Sequence, residues 1–319
     1  MKQLAFKILL LLTPIVGLYF YGLSLIHPDQ IILNKGTAIL ILGDSHTQCA
    51  LNDSIMPETM NLSSSADLYF HSYLKLRNIL MFNKIRTLVL SYDYTSFWPG
   101  IEDQFFYAGN FDFKLKSYES IMNISDIEQV VINKPTSLNH LMGFFFGEAR
   151  DQEKSALSFS LHGQMNEIDS ISRYGGYCSF KKSCDQKVLK NRVDNLKQKG
   201  MPDVRQSLKR SNFQLTYLVK IYDLCRVQGI HLVLLNTPVS PEFYPLQGVS
   251  KKSCVSFMRD IRSQFLPQAE YLDFTDYSMT PESYCDVEHL NGKGAIVLSR
   301  KVYNLIGIDS LSVKDRHNP

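Results

Sequence analysis

The sequence predicts an α/β fold built on a mainly parallel β-sheet. Two observations lead to this expectation: short apolar runs recur along the 319-residue chain, and helix-like stretches separate most of them. Parallel strands need a crossover connection, usually a helix, so this alternation favours a parallel sheet covered on both faces. Apolar residues make up 45% of the chain and charged residues 20%, which describes a globular protein with a sizeable core.

The strands and helices can be assigned in chain order from the hydrophobic pattern. The predicted strands are the apolar runs at 37–42, 59–63, 86–92, 231–236 and 269–274. The predicted helices are the stretches at 68–82, 208–228, 252–265 and 293–306. Together they define one large domain over residues 35–310, with an insertion at about 93–205 and a C-terminal tail at 311–319.

An apolar segment precedes this domain. From residue 8 to residue 26 no side chain is charged, which is close to the ~20 residues needed to cross a bilayer. Lys2 and Lys7 lie on its amino-terminal side, so residues 1–7 are expected in the cytoplasm and the domain outside it. We therefore expect a single-pass anchor at 8–26, followed by a linker at 27–34.

A signal peptide cleaved near Gly22-Leu23-Ser24 is the alternative interpretation, and it would leave a secreted protein. In both cases the domain is extracytoplasmic, where disulfides are permitted. Cys178 and Cys184 form the most credible local pair among the six cysteines, and the others cannot be paired from the sequence.

Two short motifs at opposite ends of the domain carry chemistry. Gly43-Asp44-Ser45-His46 follows the first predicted strand, so Ser45 is expected at the strand's carboxyl end, where open α/β sheets bind ligands. Asp286 and His289 are three residues apart, a spacing that puts both side chains on one face of a turn. A serine becomes nucleophilic when an imidazole takes its proton and a carboxylate holds that imidazole. The pattern predicts a triad of Ser45, His289 and Asp286.

A structural role is the alternative for the second motif. Asp286 would then cap the closing helix, and His289 would be an ordinary loop residue. His46 follows the nucleophile directly, and we expect it to point elsewhere and to act as a structural neighbour rather than as the base.

These motifs resemble those of the SGNH (GDSL-like) hydrolase and acyltransferase superfamily, whose first block is Gly-Asp-Ser and whose last is Asp-x-x-His. The resemblance implies a three-layer α/β/α sandwich with a flavodoxin-like sheet of about five strands. It also implies the triad roles given above to Ser45, Asp286 and His289. The Gly-x-Ser-x-Gly elbow of α/β-hydrolases is absent, because Thr47 stands where its second glycine would be.

The same resemblance implies donors for the oxyanion that forms on the attacked carbonyl. In the family they are the nucleophile's N–H, a glycine of a second block and an asparagine of a third. Ser63 stands at the glycine's place, with Asn61 beside it, and would still offer a backbone N–H. Asp93 stands where the asparagine is expected, so the third donor is unassigned. The alternatives are that Asp93 caps a turn and that Asn61 ends one.

Substrate contacts are expected from two further places. The insertion is rich in aromatic residues, most of which should pack onto the core, and Trp98 is the first candidate to stack on a sugar ring. Asn236 ends the fourth predicted strand and so opens onto the same edge of the sheet as Ser45.

Composition excludes some classes of function. The net charge of +3 is small and dispersed, which argues against a nucleic-acid partner. The cysteines and histidines show neither Cys-x-x-Cys nor His-Glu-x-x-His spacing, so we expect no metal and no other cofactor.

The sequence therefore predicts a membrane-anchored, extracytoplasmic serine esterase or O-acyltransferase. The resemblance implies that it removes or adds acetyl groups on a cell-envelope polysaccharide, with the acylated glycan, the membrane and a membrane protein that donates acyl groups as partners. Whether water or a sugar hydroxyl accepts the acyl group stays open. The competing expectation is a catalytically inactive SGNH-like module that binds glycans or partners, which the missing glycine and asparagine favour.

Overall fold

The computed structural model describes residues 30–98, 114, 117–133, 135, 137, 172–180, 194 and 210–314. These residues belong to two compact units. The larger unit contains the described residues of 31–98, 172–180, 194 and 210–314. The smaller unit contains residue 30 and the described residues between 114 and 137.

The larger unit is built on a five-stranded parallel sheet. Its strands are β1 (Ile39–Leu42), β2 (Thr59–Asn61), β3 (Thr87–Ser91), β4 (His231–Asn236) and β5 (Glu270–Asp273). They lie side by side in the order β2-β1-β3-β4-β5, and every neighbouring pair is parallel. Each strand falls within a predicted run, so the predicted α/β class and parallel sheet are confirmed. β2 lies on one side of β1 and β3 lies on the other, and this change of direction opens a crevice between β1 and β3 at the carboxyl ends of the strands.

Seven α-helices occur within the described residues. They are α1 (Ser45–Ala50), α2 (Tyr69–Phe82), α3 (Ile124–Asn133), α4 (Asn212–Val227), α5 (Phe243–Gln247), α6 (Lys251–Phe265) and α7 (Gly292–Lys314). The four predicted helices correspond to α2, α4, α6 and α7. The helices α1, α3 and α5 were not predicted. Because α7 continues to Lys314, the tail predicted from residue 311 is helical in its first part.

Both faces of the sheet are buried, as parallel sheets require. Ile39 and Ile41 of β1 share one core cluster with Leu298, Val302 and Ile306 of α7. Their neighbours along the strand point to the opposite face because side chains alternate in a β-strand. Leu40 and Leu42 of β1 are buried on that opposite face. Leu88, Leu90 and Leu234 of the adjoining strands are buried too.

Helix pairs cover the sheet. α2 packs on α4, where the ring of Phe70 contacts the ring of Tyr217 edge-on at a centroid distance of 4.9 Å. α1 packs on α7, and the hydroxyl of Ser299 accepts a 2.8 Å hydrogen bond from the N–H of Asn52, just after α1. The first pair fixes the position of α2, which follows β2, and the second pair fixes the position of α1, which follows β1.

The chain enters the larger unit along the end of α2. Ile31 and Leu33 are buried, and their N–H groups donate to the side-chain oxygens of Asn78 (2.9 Å) and Asn83 (2.8 Å). The segment predicted as a linker at 27–34 is therefore docked from Ile31 onward, because two apolar side chains are buried and two asparagines satisfy the backbone.

The smaller unit contains α3, whose first turn is capped from both sides. The side-chain oxygen of Asn123 accepts the N–H of Asp126 at 3.0 Å, and the Asp126 carboxylate accepts the N–H of Asn123 at 2.8 Å. This reciprocal pair satisfies donors that a helix start leaves without partners. The helix falls inside the predicted insertion at 93–205, most of which lies outside the described residues.

The predicted anchor at 8–26 also lies outside the described residues. Among the helices that the structure does describe, none combines the length and apolar character that a bilayer crossing needs.

Candidate active site

Ser45 is placed by a sharp turn at the carboxyl end of β1. Gly43 has a φ of +146°, and a Cβ there would lie 2.3 Å from the Cβ of Ser91 and 2.6 Å from the hydroxyl of Thr47. Only glycine fits this position without displacing β3. Asp44 then caps α1, and Ser45 becomes the first residue of that helix.

Ser45, His289 and Asp286 meet at this edge of the sheet. The Oγ atom of Ser45 lies 2.8 Å from Nε2 of His289, although 244 residues separate the two in the chain. Nδ1 of the same imidazole lies 2.9 Å and 3.1 Å from the two carboxylate oxygens of Asp286. This is the arrangement of nucleophile, base and orienting carboxylate found in serine hydrolases.

Asp286 is held in place by its own loop. Its Oδ1 atom accepts the N–H groups of Glu288 at 2.9 Å and His289 at 2.8 Å, and the N–H of Cys285 donates to the carbonyl of His289 at 2.8 Å. Burial alone would raise the pKa of Asp286, but the hydrogen bonds and charge of His289 and the backbone N–H groups lower it to about 2. The carboxylate is thus ionised at neutral pH and can orient the imidazole.

Asn291, rather than Asp286, caps α7. Its side-chain oxygen accepts the N–H groups of Lys293 at 2.9 Å and Gly294 at 3.2 Å. Its amide donates to the carbonyls of Glu282 and Tyr284, which closes the loop that carries the triad. The alternative in which Asp286 caps the closing helix is therefore wrong, because that position is taken and the Asp286 carboxylate faces His289.

A second aspartate–histidine pair lies beside the triad. Nδ1 of His46 is 3.1 Å from Oδ2 of Asp44, whose Oδ1 accepts the N–H of His46 and the hydroxyl of Ser91. The His46 ring stacks on the His289 ring with a centroid distance of 5.2 Å and an interplanar angle of 29°. The expectation that His46 points elsewhere is therefore wrong.

The surroundings of His46 are acidic. Burial by itself would lower the pKa of His46, but the carboxylates of Asp44, Asp93 and Glu288 raise it to about 10. The same interaction lowers the pKa of Asp44, against the effect of its burial. His46 is consequently an imidazolium at neutral pH.

The loop after β2 uses its N–H groups within the fold. Ser63 donates to the side-chain oxygen of Asn61 at 2.9 Å, Ser64 to the carbonyl of Gly43 at 3.0 Å, and Ser65 to Gln48 Oε1 at 2.9 Å. The expected role of the Ser63 N–H as an oxyanion donor is not supported, since that N–H already has an acceptor in a fully buried position.

Asn61 joins the end of β2 to α1. Its amide donates to the carbonyls of Thr47 at 3.1 Å and Leu51 at 2.8 Å, and the residue is buried. Asn61 therefore acts as a structural brace behind the nucleophile rather than as a group that faces the substrate.

Asp93, Trp98 and Asn236 do not hydrogen-bond to the triad within the part of the chain that the structure describes. Asp93 caps the turn at Thr95–Phe97, where its Oδ1 accepts the N–H groups of Thr95 at 2.8 Å and Ser96 at 3.2 Å. Trp98 ends this turn and is half-buried. Asn236 is the last residue of β4, and its amide donates to the hydroxyl of Thr275, just after β5, at 2.7 Å.

A segment that we call the strap, residues 172–180, crosses the mouth of the site. The N–H of Gly176 donates to the carbonyl of Ser63 at 3.0 Å, and the N–H of Cys178 donates to the carbonyl of Gln48 at 3.1 Å. The ring of Phe180 ends the strap at 6.0 Å from the His289 ring, and 37% of this residue is exposed. The strap thus connects the loop after β2, helix α1 and the imidazole of His289.

Lys75 of α2 fixes the beginning of the strap from inside the protein. Its ammonium group is fully buried, lies 2.7 Å from the Asp67 carboxylate, and donates to the carbonyls of Leu62 and, at 3.0 Å, Tyr174. Gly175 follows with a φ of +129°, and a Cβ there would lie 2.4 Å from the carbonyl of Ser63. The sequence offered only Gly175-Gly176 as a signal for this contact, and nothing marked Lys75.

Within the described part of the chain, two groups of side chains are close enough to share a cation. Asp44, His46 and Asp93 form one group, and His46, Glu288 and His289 form the other, with potential ligand atoms within 4.8 Å of one another in each. Both depend on His46, and both imidazoles already use Nδ1 in hydrogen bonds to aspartates. The side chains of each group lie close together because of these hydrogen bonds and because the positive charge of His46 attracts the carboxylates.

Cys178 on the strap has a free, exposed thiol. Its predicted partner, Cys184, lies outside the described residues. Cys49, Cys225 and Cys254 are buried free thiols, and Cys285 is buried as well.

Comparison with known proteins adds no relative: no protein-family model matches the chain, and no curated protein matches it either. The interpretation of the site therefore depends on its geometry.

Proposed function

We propose that this protein is a serine esterase or O-acyltransferase of the SGNH (GDSL-like) type. The observation that carries the proposal is the chain of contacts from Ser45 Oγ to His289 Nε2 at 2.8 Å and from His289 Nδ1 to Asp286 at 2.9 Å. The strand order β2-β1-β3-β4-β5 is that of flavodoxin-like sheets. The separate helix pairs α1–α7 and α2–α4 support a three-layer sandwich around this sheet.

The reaction begins when Ser45 Oγ attacks the carbonyl carbon of an acyl ester and passes its proton to His289 Nε2. Asp286 stays ionised and stabilises the imidazolium that forms. The tetrahedral intermediate then expels the alcohol, which takes the proton from His289, and the acyl group remains on Ser45. Water or a sugar hydroxyl next gives its proton to His289 and attacks the acyl carbon. The second tetrahedral intermediate then expels Ser45 Oγ, which takes the proton back from His289.

One oxyanion donor follows directly from the fold. Ser45 is the first residue of α1, and the first N–H groups of a helix have no partner within the helix. Its N–H has no acceptor among the described residues. It can therefore donate to the negative oxygen of the tetrahedral intermediate.

The proposed substrate is an acyl ester, most simply an acetyl ester, on a cell-envelope polysaccharide. The predicted anchor at 8–26 supports this choice, because it would hold the domain on the outer side of the membrane with residues 1–7 in the cytoplasm. Phe180 supports it too, since an exposed ring beside His289 can stack on a sugar. A membrane protein would supply acyl groups if the reaction is a transfer, and cleavage of the anchor would make the protein secreted.

A catalytically inactive binding module is the second candidate. One observation favours it: the N–H groups of Ser63, Ser64 and Ser65 all have acceptors within the fold, and Asp93 offers a carboxylate rather than an amide. A site of this kind would bind a glycan with the triad residues serving only as hydrogen-bonding groups.

The two candidates are separated by hydrolysis of an aryl acetate and by labelling with a fluorophosphonate. The wild type should hydrolyse the ester and take the label on Ser45, whereas Ser45→Ala should lose at least about a thousandfold in kcat and all labelling. Ser263→Ala, an exposed serine of α6, serves as the matched control and should behave as the wild type. Background rates in wild type and Ser45→Ala, with no label on Ser45, would establish the binding module instead.

A further inference from the structure

The backbone of the site offers fewer oxyanion donors than serine hydrolases usually have. Serine hydrolases usually stabilise the tetrahedral oxygen with at least two donors, and removing one costs about 10²–10³ in kcat. The N–H of Ser45 supplies one. The N–H groups after β2 are used within the fold, and the Asp93 carboxylate only accepts hydrogen bonds.

His46 is the next polar group at the nucleophile. It follows Ser45 directly in α1, its ring stacks on the His289 ring, and one of its nitrogens lies within 4.8 Å of a nitrogen of His289. Its Nδ1 atom is held by Asp44. Nε2 has no hydrogen-bond partner within the described part of the chain, although the residue is only 8% exposed.

Three carboxylates give this imidazole a positive charge. Asp44 bonds to it directly, and oxygens of Asp93 and Glu288 lie within 4.8 Å of its nitrogens. A charged imidazole carries a proton on each nitrogen, so both nitrogens are donors. With Nδ1–H directed to Asp44, Nε2–H remains for a partner that the described residues do not provide. A donor on a charged group also forms the stronger kind of hydrogen bond.

We infer that His46 is the second oxyanion donor of the site, and that its Nε2–H donates to the acyl oxygen when Ser45 Oγ adds to the carbonyl. This inference rests on the proposed function. His46 loses no proton in the step, because the proton of Ser45 goes to His289 and Asp44 stabilises the charge on His46. The two stacked histidines therefore have different tasks: His289 transfers protons and His46 stabilises charge.

The test compares His46→Phe with His46→Gln in the full-length protein. Phenylalanine keeps a ring to stack on His289 but has no donor, whereas the glutamine amide retains an N–H. With an aryl acetate, His46→Phe should lose about 100-fold in kcat while KM changes less than threefold. Its affinity for a trifluoromethyl ketone, which forms a tetrahedral adduct with the serine, should fall by about the same factor. His46→Gln should recover part of both losses.

A purely structural role for His46 gives a different result. The kcat of His46→Phe would then stay within threefold of the wild type. Alternatively, KM and thermal stability would change while the affinity for the ketone stayed at the wild-type value. Either result would overturn the inference. If His46→Phe does not fold, a crystal structure of the wild-type ketone adduct decides. Nε2 of His46 should lie within about 3.2 Å of the adduct oxygen, and a distance beyond hydrogen-bond reach rejects the role.

Failure of this inference is distinguishable from failure of the proposed function. A wild type without esterase activity and without a label on Ser45 would remove both. An active wild type, an inactive Ser45→Ala and a fully active His46→Phe would remove only the role of His46.

Discussion

The imidazole rings of His46 and His289 stack at a centroid distance of 5.2 Å, and an aspartate holds Nδ1 of each ring. The two pairs differ in their electrostatic surroundings. His46 lies among three carboxylates that raise its pKa to about 10, against the effect of burial. His289 instead contacts the Ser45 hydroxyl with its second nitrogen. One ring is therefore a fixed cation, and the other is placed to exchange a proton with the serine.

Replacing Asp286 by asparagine should reduce kcat by about 10³-fold or more, because the imidazole loses both its orientation and the charge that stabilises its protonated form. KM for an aryl acetate should change little, since Asp286 is held behind His289 and does not face the ester. Steady-state kinetics measure both constants. Asp276→Asn is a suitable control because Asp276 is an exposed aspartate that pairs with Lys251. Equal losses in the two variants would contradict the triad.

The stability that Asp286 provides should depend on pH. Its pKa is lowered in the folded protein to about 2, so its contribution is present above the unfolded value of about 4 and is lost as the pH falls towards 2. The contribution amounts to about 2 kcal/mol at most, because part of the side chain is exposed. Urea unfolding of wild type and Asp286→Asn from pH 2 to pH 6 measures it. The difference in unfolding free energy should be largest above pH 4, and a difference that does not change with pH would refute the assignment.

Gly43→Ala should lower the free energy of unfolding by about 2 kcal/mol more than Gly176→Ala does. Both glycines have a φ unfavourable for alanine, +146° and +155°. Only at Gly43 would the new Cβ meet other atoms, since it would lie 2.3 Å from the Cβ of Ser91, whereas nothing lies within 4 Å at Gly176. Denaturant unfolding of the two variants separates the collision from the backbone strain that they share. Equal destabilisation of the two variants would show that β3 moves away from the new Cβ at little cost and that the collision with Ser91 is unimportant.

Lys75→Met should cost about 3 kcal/mol of unfolding free energy, because it leaves the buried Asp67 carboxylate without its cation. The double variant Lys75→Met/Asp67→Asn should be more stable than Lys75→Met alone, since no buried charge then remains from the pair. Chemical denaturation of the two single variants and the double variant measures the coupling. Purely additive losses would mean that the ion pair contributes nothing beyond packing.

Phe180→Ala should raise KM for an acetylated oligosaccharide and leave KM for a small aryl acetate nearly unchanged. The ring lies 6.0 Å from the His289 ring and is partly exposed, so it can contact the sugar but is not needed for the ester. Stacking of this kind is worth about 1 kcal/mol, or roughly fivefold in KM. Phe82→Ala is the control, because Phe82 is also an exposed phenylalanine but ends α2, far along the chain from the strap. Similar changes with both substrates would reject a glycan contact at Phe180.

Much of the fold could be predicted because its signals are local. Five short apolar runs gave the five strands, and the turn after β1 was readable from Gly43-Asp44-Ser45. The meeting of Ser45 with His289 followed from two motifs and one rule, that parallel strands present their carboxyl ends at a common edge.

What the sequence could not show depends on contacts between distant segments. The N–H of Ser63 looked available, but the Asn61 side chain two residues earlier turns back to accept it. The charge of His46 depends on Asp44, Asp93 and Glu288, which three separate segments supply. Lys75 reads as an ordinary helix lysine, and its burial becomes apparent only when Asp67 and Tyr174 are brought to it.

The 244-residue separation of Ser45 and His289 has a consequence for biosynthesis. Translation makes Ser45 well before His289, so the growing chain carries Ser45 without its partner until the loop before α7 has emerged and docked. Under the proposed function, a nascent chain at that stage would lack the base that activates Ser45. A chain that terminates before residue 286 would contain Ser45 but neither Asp286 nor His289.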